Sequence, residues 1–162
     1  MLKKLLIGFV VVASFTGCLK GSDFPDPCNY DPCEIKAPAA EIQQVQAYLT
    51  ANNITNAVQH CSGLFYVVDN PGTGATPQTC SNITVEYEGR LTNGTQFDAS
   101  TSPVTFNLSG VIPGWRNGLP QLKPGGRIHL YVPPTLGYGA NSNGTIPANS
   151  ILVFRVDLIS VQ

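Results

Sequence analysis

Charge is what this sequence lacks most. Only 12% of its 162 residues are Asp, Glu, Lys or Arg, about half the share of an ordinary soluble domain. No basic block occurs and the net charge is −1, so nothing is offered to a nucleic-acid backbone. Histidine is scarce: His60 and His129 stand apart from one another and from any metal-ligand spacing. No Cys-x-x-Cys pair is present, which sets zinc aside, and no metal or cofactor is expected. The absence of Gly-x-Ser-x-Gly and of an acid–base–nucleophile set removes serine-hydrolase chemistry. Pro71-Gly-Thr-Gly74 lacks the lysine and the spacing of a phosphate loop. Glu86 and Glu88 fall on the polar side of an alternating segment and read as solvated surface.

Glycine (16) and proline (13) are abundant, and 43% of the residues are hydrophobic. Together these point to a loop-rich, β-dominated domain with a real core. The start of the chain is read as targeting. Lys3 and Lys4 precede the apolar run Leu5 to Phe15, too short for a membrane span and suited to a signal-peptide core. Thr16-Gly17-Cys18 then resembles a bacterial lipobox, which implies cleavage before Cys18 and acylation of that cysteine. Losing Lys3 and Lys4 leaves 7 basic residues against 10 acidic. The expected location is extracytoplasmic, as a lipoprotein held to a membrane through Cys18. Leu19 does not resemble an inner-membrane retention signal, which favours the outer membrane. Cys28, Cys33, Cys61 and Cys80 remain, an even number that favours two disulfides in any of three pairings.

Four stretches follow: a signal peptide (1–17), a cysteine-containing tether (18–37), a helical extension (38–60) and a main domain (61–162). In the extension Ile42, Val45 and Leu49 lie at helical spacing, Pro38 suits a first turn, and Asn52 and Asn53 end the pattern. Beyond Cys61 the period changes to two. Ile83, Val85 and Tyr87 share a face; so do Val104, Phe106 and Leu108, then Ile128, Leu130 and Val132, and finally Leu152, Phe154, Val156 and Leu158. About five strands are expected in one antiparallel sheet. Between Val111 and Leu122 only Trp115 to Leu119 can turn helically, since Pro120 removes a donor and clashes with the preceding turn. That short helix would lie across the sheet, with the only tryptophan of the chain at its N-terminal end.

With no nucleophile in evidence, the residues left over are aromatic and apolar, accompanied by Asp98. The succession VEYEGRLTNGTQFDAS, VIPGWRNGLPQLKPGG, PPTLGYGANSNGTIPA and ILVFRVDL resembles the FKBP family of peptidyl-prolyl cis-trans isomerases over roughly residues 61 to 162. The resemblance implies an α+β fold, a five-stranded antiparallel sheet wrapped around a short helix. It also implies a pocket with Trp115 as the floor beneath a substrate proline ring. Tyr87, Phe97, Val111, Ile112 and Phe154 would wall it, and Val104 and Ile146 complete the substrate-binding set. Tyr138, through its hydroxyl, and the Ile112 backbone N–H would bond carbonyls. Asp98 would lie beside the twisting amide or, as favoured here, shape the pocket by bonding Tyr87 or Arg155. Val104 stands where members often carry a pocket Phe, and Thr145 replaces a frequent apolar residue before Ile146.

The expected activity is therefore isomerisation of X–Pro bonds in exported polypeptides, with proline-containing clients and macrolide inhibitors of the family as ligands. The alternative is a low-turnover binding module for unfolded or proline-rich segments.

Overall fold

The computed structural model describes residues 28–162. The expectations for the signal peptide and for acylation at Cys18 lie outside that span. The chain forms helix α1 (Ala39–Ala51), strands β1 (Val58–Gln59), β2 (Phe65–Asn70), β3 (Asn82–Leu91), β4 (Gln96–Ala99) and β5 (Val104–Asn107). Helix α2 (Pro113–Gly118), β6 (Gly126–Val132) and β7 (Leu152–Val161) follow.

All strand pairings are antiparallel, in the order β1-β2-β6-β7-β3-β4. β5 pairs the first half of β3 while β4 pairs its second half. The two together act as one interrupted edge strand, so the sheet has five rows, as expected, extended by the two-residue β1. Alternation fixes which side chains meet. Register pairs Val85 with Leu158 and Tyr87 with Val156 across β3 and β7, and Leu130 with Phe154 across β6 and β7. One face therefore carries Ile83, Val85, Ile128, Leu130, Val132, Leu152, Phe154, Val156 and Leu158, all buried.

Each face has its own cover. The opposite face presents Phe65, Val67 and Tyr131, and α1 lays Val45 and Leu49 on them, with Tyr48 tilted against the Tyr131 ring. Glu41, one turn into α1, accepts hydrogen bonds from the Thr135 N–H (2.8 Å) and the Thr135 hydroxyl (2.7 Å). Asn53, at φ 56°, ends the helix with its N–H on the Thr50 carbonyl. Helix α1 is thus docked on the sheet.

α2 covers the core face and explains why its segment is so rich in breakers. Pro113 occupies its first turn, where no N–H is needed. Pro120 falls in the 3-10 turn Leu119–Gln121 that ends the element. Gly114 and Gly118 face the sheet: a Cβ on Gly114 would lie 2.6 Å from Val132, and one on Gly118 would lie 2.5 Å from Leu130. The backbone of α2 therefore sits directly on β6, closer than any side chain would permit. The four remaining cysteines pair as Cys28–Cys80 and Cys33–Cys61, one of the three combinations left open by the sequence.

Gly114→Ala tests the close approach. Val132 is β-branched and cannot swing aside, so equilibrium urea unfolding should show a loss of about 1–3 kcal/mol.

Candidate active site

An open hollow of about 310 Å³ lies at the N-terminal end of α2, lined by Tyr87, Phe97, Asp98, Phe106, Gly110, Val111, Ile112, Trp115, Tyr138 and Phe154. Its size falls at the lower end of small-ligand pockets. Trp115 is only 4% exposed. Three rings stand edge-on around the indole: Tyr87 at 5.2 Å, Phe154 at 5.4 Å and Phe106 at 5.9 Å between centroids. Phe97 meets Phe154 in the same manner at 5.4 Å. Edge-to-face contacts of this kind favour one arrangement over many, and they hold the indole while leaving its surface to form part of the hollow's lining.

Each wall comes from a different element. β3 supplies Tyr87 and then thins at Gly89, where a Cβ would lie 2.6 Å from the Phe97 ring and 2.9 Å from Phe154. The β4 strand brings Phe97 and Asp98, and β7 brings Phe154. Tyr138, 36% exposed, stands at the rim on the loop that follows the 3-10 turn Pro134–Leu136. Ile112 precedes α2, and its N–H has no protein acceptor among the described residues, as befits a donor at a helix start. Ile146 is buried in an adjoining hollow of about 340 Å³ that shares Phe97, Asp98 and Tyr138 with the first.

One expected member is displaced. Val104 does not line the hollow; Phe106, two residues further along β5, does. The period of two had already put both on one face, and the short segment from Phe106 to Val111 brings the ring, not the valine, against Trp115. Gly110 also lines the wall without having been singled out from the sequence.

The Tyr87 hydroxyl donates to Asp98 Oδ2 at 2.8 Å. Arg155, the other partner considered for Asp98, lies instead near Asp157 at 3.9 Å. Burial, helped by the hydrogen bond and the negative charge of Asp98, pushes the Tyr87 phenol up to about 12. The hollow is thus an aromatic, largely apolar cup with one carboxylate tied to its wall. Another hollow of about 290 Å³, by Gln44, Thr92, Asn93 and Asn149, offers amides and hydroxyls but no titratable side chain.

The family model for FKBP-type peptidyl-prolyl cis-trans isomerase matches residues 74–159, a span that includes all ten residues lining the cup. The chain belongs to the FKBP family. Among FKBP relatives, the isomerase FkpA of Buchnera aphidicola subsp. Schizaphis graminum is 48% identical over 105 residues, 62% of this chain and 42% of that one. Mip of Coxiella burnetii is 44% identical over 125 residues, 74% of this chain and 54% of its own. The chain therefore spans about half the length of the curated relatives it matches. Of solved FKBP structures, FkpA from Escherichia coli superposes with a TM-score of 0.69 at 38% identity, covering 76% of this chain and 60% of that one. A peptidyl-prolyl cis-trans isomerase from Pseudomonas syringae pv. tomato gives 0.68 at 32% identity, covering 78% and 98%.

The raised phenol has a consequence for stability. A folded-state value of about 12 against an ordinary 10 contributes stability that is complete below pH 10 and is lost as pH rises towards 12. Urea unfolding between about pH 9 and about pH 11 should show a smaller alkaline loss for Tyr87→Phe than for the wild type. Equal losses would mean that the Tyr87 phenol is not raised in the folded state.

Proposed function

We propose that the chain is a peptidyl-prolyl cis-trans isomerase acting on exported polypeptides. The observation that carries this is the indole of Trp115, ringed edge-on by three aromatic side chains and forming part of an open apolar cup. A pyrrolidine ring would rest on the indole. The Ile112 N–H and the Tyr138 hydroxyl would hold carbonyls on either side of it.

Rotation about an X–Pro bond gives up amide resonance, against a barrier of about 18–20 kcal/mol. Unassisted, it takes roughly 10–100 s at room temperature. The planar amide carries more negative charge on oxygen than the twisted form does. Moving it from water into an apolar cup therefore destabilises the planar state more. A rate gain on the order of 10⁵ needs only about 7 kcal/mol of such differential stabilisation. Nothing in this scheme calls for a nucleophile. Asp98 serves by holding the Tyr87 hydroxyl, which keeps the wall in shape.

Residues 61–162 would form the isomerase unit and 38–60 its helical extension. The N-terminal leader, the lipobox-like Thr16-Gly17-Cys18 and the two disulfides favour an extracytoplasmic protein anchored through an acylated Cys18, on the outer membrane. Proline-containing clients are its partners, and macrolide inhibitors would enter the same cup.

A protease-coupled assay on an Ala-Xaa-Pro-Phe peptide, run with the full chain, tests the activity. Trp115→Ala should lower kcat/KM on the order of 10²-fold, as loss of substrate placement does. Tyr138→Phe, at an exposed rim position, should lower it about 3–10-fold with an unchanged Tm, the worth of one hydrogen bond. Peptide binding by the wild type without turnover would replace isomerisation by the binding-module reading.

A further inference from the structure

We infer that Arg116, held by Tyr30 of the N-terminal tether, positions the Gly110–Ile112 wall of the cup and aims the Ile112 N–H into it; the inference rests on the reading of the pocket as a proline site. Arg116 follows the floor residue Trp115 on α2. Its Nη2 donates to the carbonyls of Ser109 (2.9 Å) and Val111 (3.2 Å), on either side of Gly110. A Cβ built on Gly110 would meet nothing within 4 Å; ahead of it the Asn107 carboxamide oxygen accepts from the Ser109 N–H (3.0 Å) and hydroxyl (2.5 Å), and beyond it the Ile112 carbonyl accepts from the Trp115 and Arg116 N–H groups.

The grip on Val111 matters because of peptide geometry. The Val111 carbonyl and the Ile112 N–H belong to one planar trans unit, so fixing the oxygen fixes the direction of the N–H on its other side. Donation to that oxygen also polarises the unit and makes the N–H a stronger donor. The positioning is therefore of a bond-making atom, and not merely of a loop.

Arg116 in turn is placed from outside the domain core. It forms no ion pair within 4 Å among the described residues. Its guanidinium instead lies 4.7 Å from the centroid of the Tyr30 ring, a cation–π contact. The Tyr30 hydroxyl donates to Oδ1 of Asn117 at 2.8 Å, and Asn117 is only 1% exposed. Two disulfides flank Tyr30, Cys28–Cys80 before it and Cys33–Cys61 after it, so the strap cannot slide off α2. A segment that composition marks as a mere tether is thus built into the back of the site.

Two readouts on the full chain test this. One is equilibrium titration with a proline peptide, followed through the fluorescence of the only tryptophan, alongside isomerase kinetics and Tm. The other is the amide proton signal of Ile112. Arg116→Ala and Tyr30→Ala should each raise the peptide Kd and KM about tenfold, the worth of a charge-assisted hydrogen bond, with kcat within about twofold. Both should shift the Ile112 amide signal. Tyr30→Phe keeps the ring over the guanidinium and should bind as the wild type does. A lowered Tm with unchanged Kd and an unmoved Ile112 signal would overturn the inference, as would a Tyr30→Phe variant as impaired as Tyr30→Ala. A wild type that binds without turnover would refute the isomerase reading alone, leaving the titration to decide the positioning. A wild type that binds no peptide would refute both.

Discussion

Two glycines one helical turn apart let the α2 backbone rest on Val132 and Leu130 of β6, and that contact governs the rest of the molecule. At ordinary helix-to-sheet distance the indole of Trp115 would stand clear of Phe154 on the next strand. Seated this low, it meets Tyr87, Phe106 and Phe154 at once. The aromatic cup is thus a consequence of a packing distance, set by the absence of two side chains. Gly89 repeats the device on β3, where the missing Cβ leaves room for the Phe97 and Phe154 rings.

The electrostatic character of the cup follows the same economy of means. A chain with 12% charged residues places one carboxylate at the hollow and ties it to a phenol. An apolar enclosure acts on a twisting amide through desolvation, and free charge near it would restore the polarity that the enclosure removes. In the proposed reaction, which transfers no group and no net charge, low charge and catalysis are compatible. Under that proposal, orientation would come instead from two neutral donors, one on the backbone ahead of α2 and one on the Tyr138 loop. The latter loop follows the 3-10 turn Pro134–Leu136, whose Thr135 donates to Glu41 of α1.

Much of this was legible in the sequence, for physical reasons that differ from residue to residue. Strands such as 152–158 declare themselves because a period of two must sort side chains between faces. That α2 ends ahead of Pro120 was readable, but the helix starts at Pro113 and not at Trp115, and a 3-10 turn carries the chain through Pro120 to Gln121. That Phe106 and not Val104 lines the cup was not readable, since both lie on one face of β5 and tertiary packing decides which of them meets Trp115. The pairing of the cysteines was equally hidden, because it depends on where Cys61 and Cys80 come to lie in three dimensions. Tyr30 sits in a stretch without periodicity, and its place over Arg116, between two disulfide-bonded cysteines, is set by tertiary contacts. Composition marks such a stretch as a linker; the fold packs its Tyr30 against α2.

In the proposed mechanism a proline ring sits on the Trp115 indole while its peptide bond turns. NMR on the full chain with an excess of an Ala-Xaa-Pro-Phe peptide addresses that claim directly, by recording cis–trans exchange of the peptide and through-space contacts to the indole in one sample. Exchange cross-peaks together with contacts between pyrrolidine protons and the Trp115 ring are the expected result. Accelerated exchange with the pyrrolidine in contact elsewhere, and none to the indole, would contradict it.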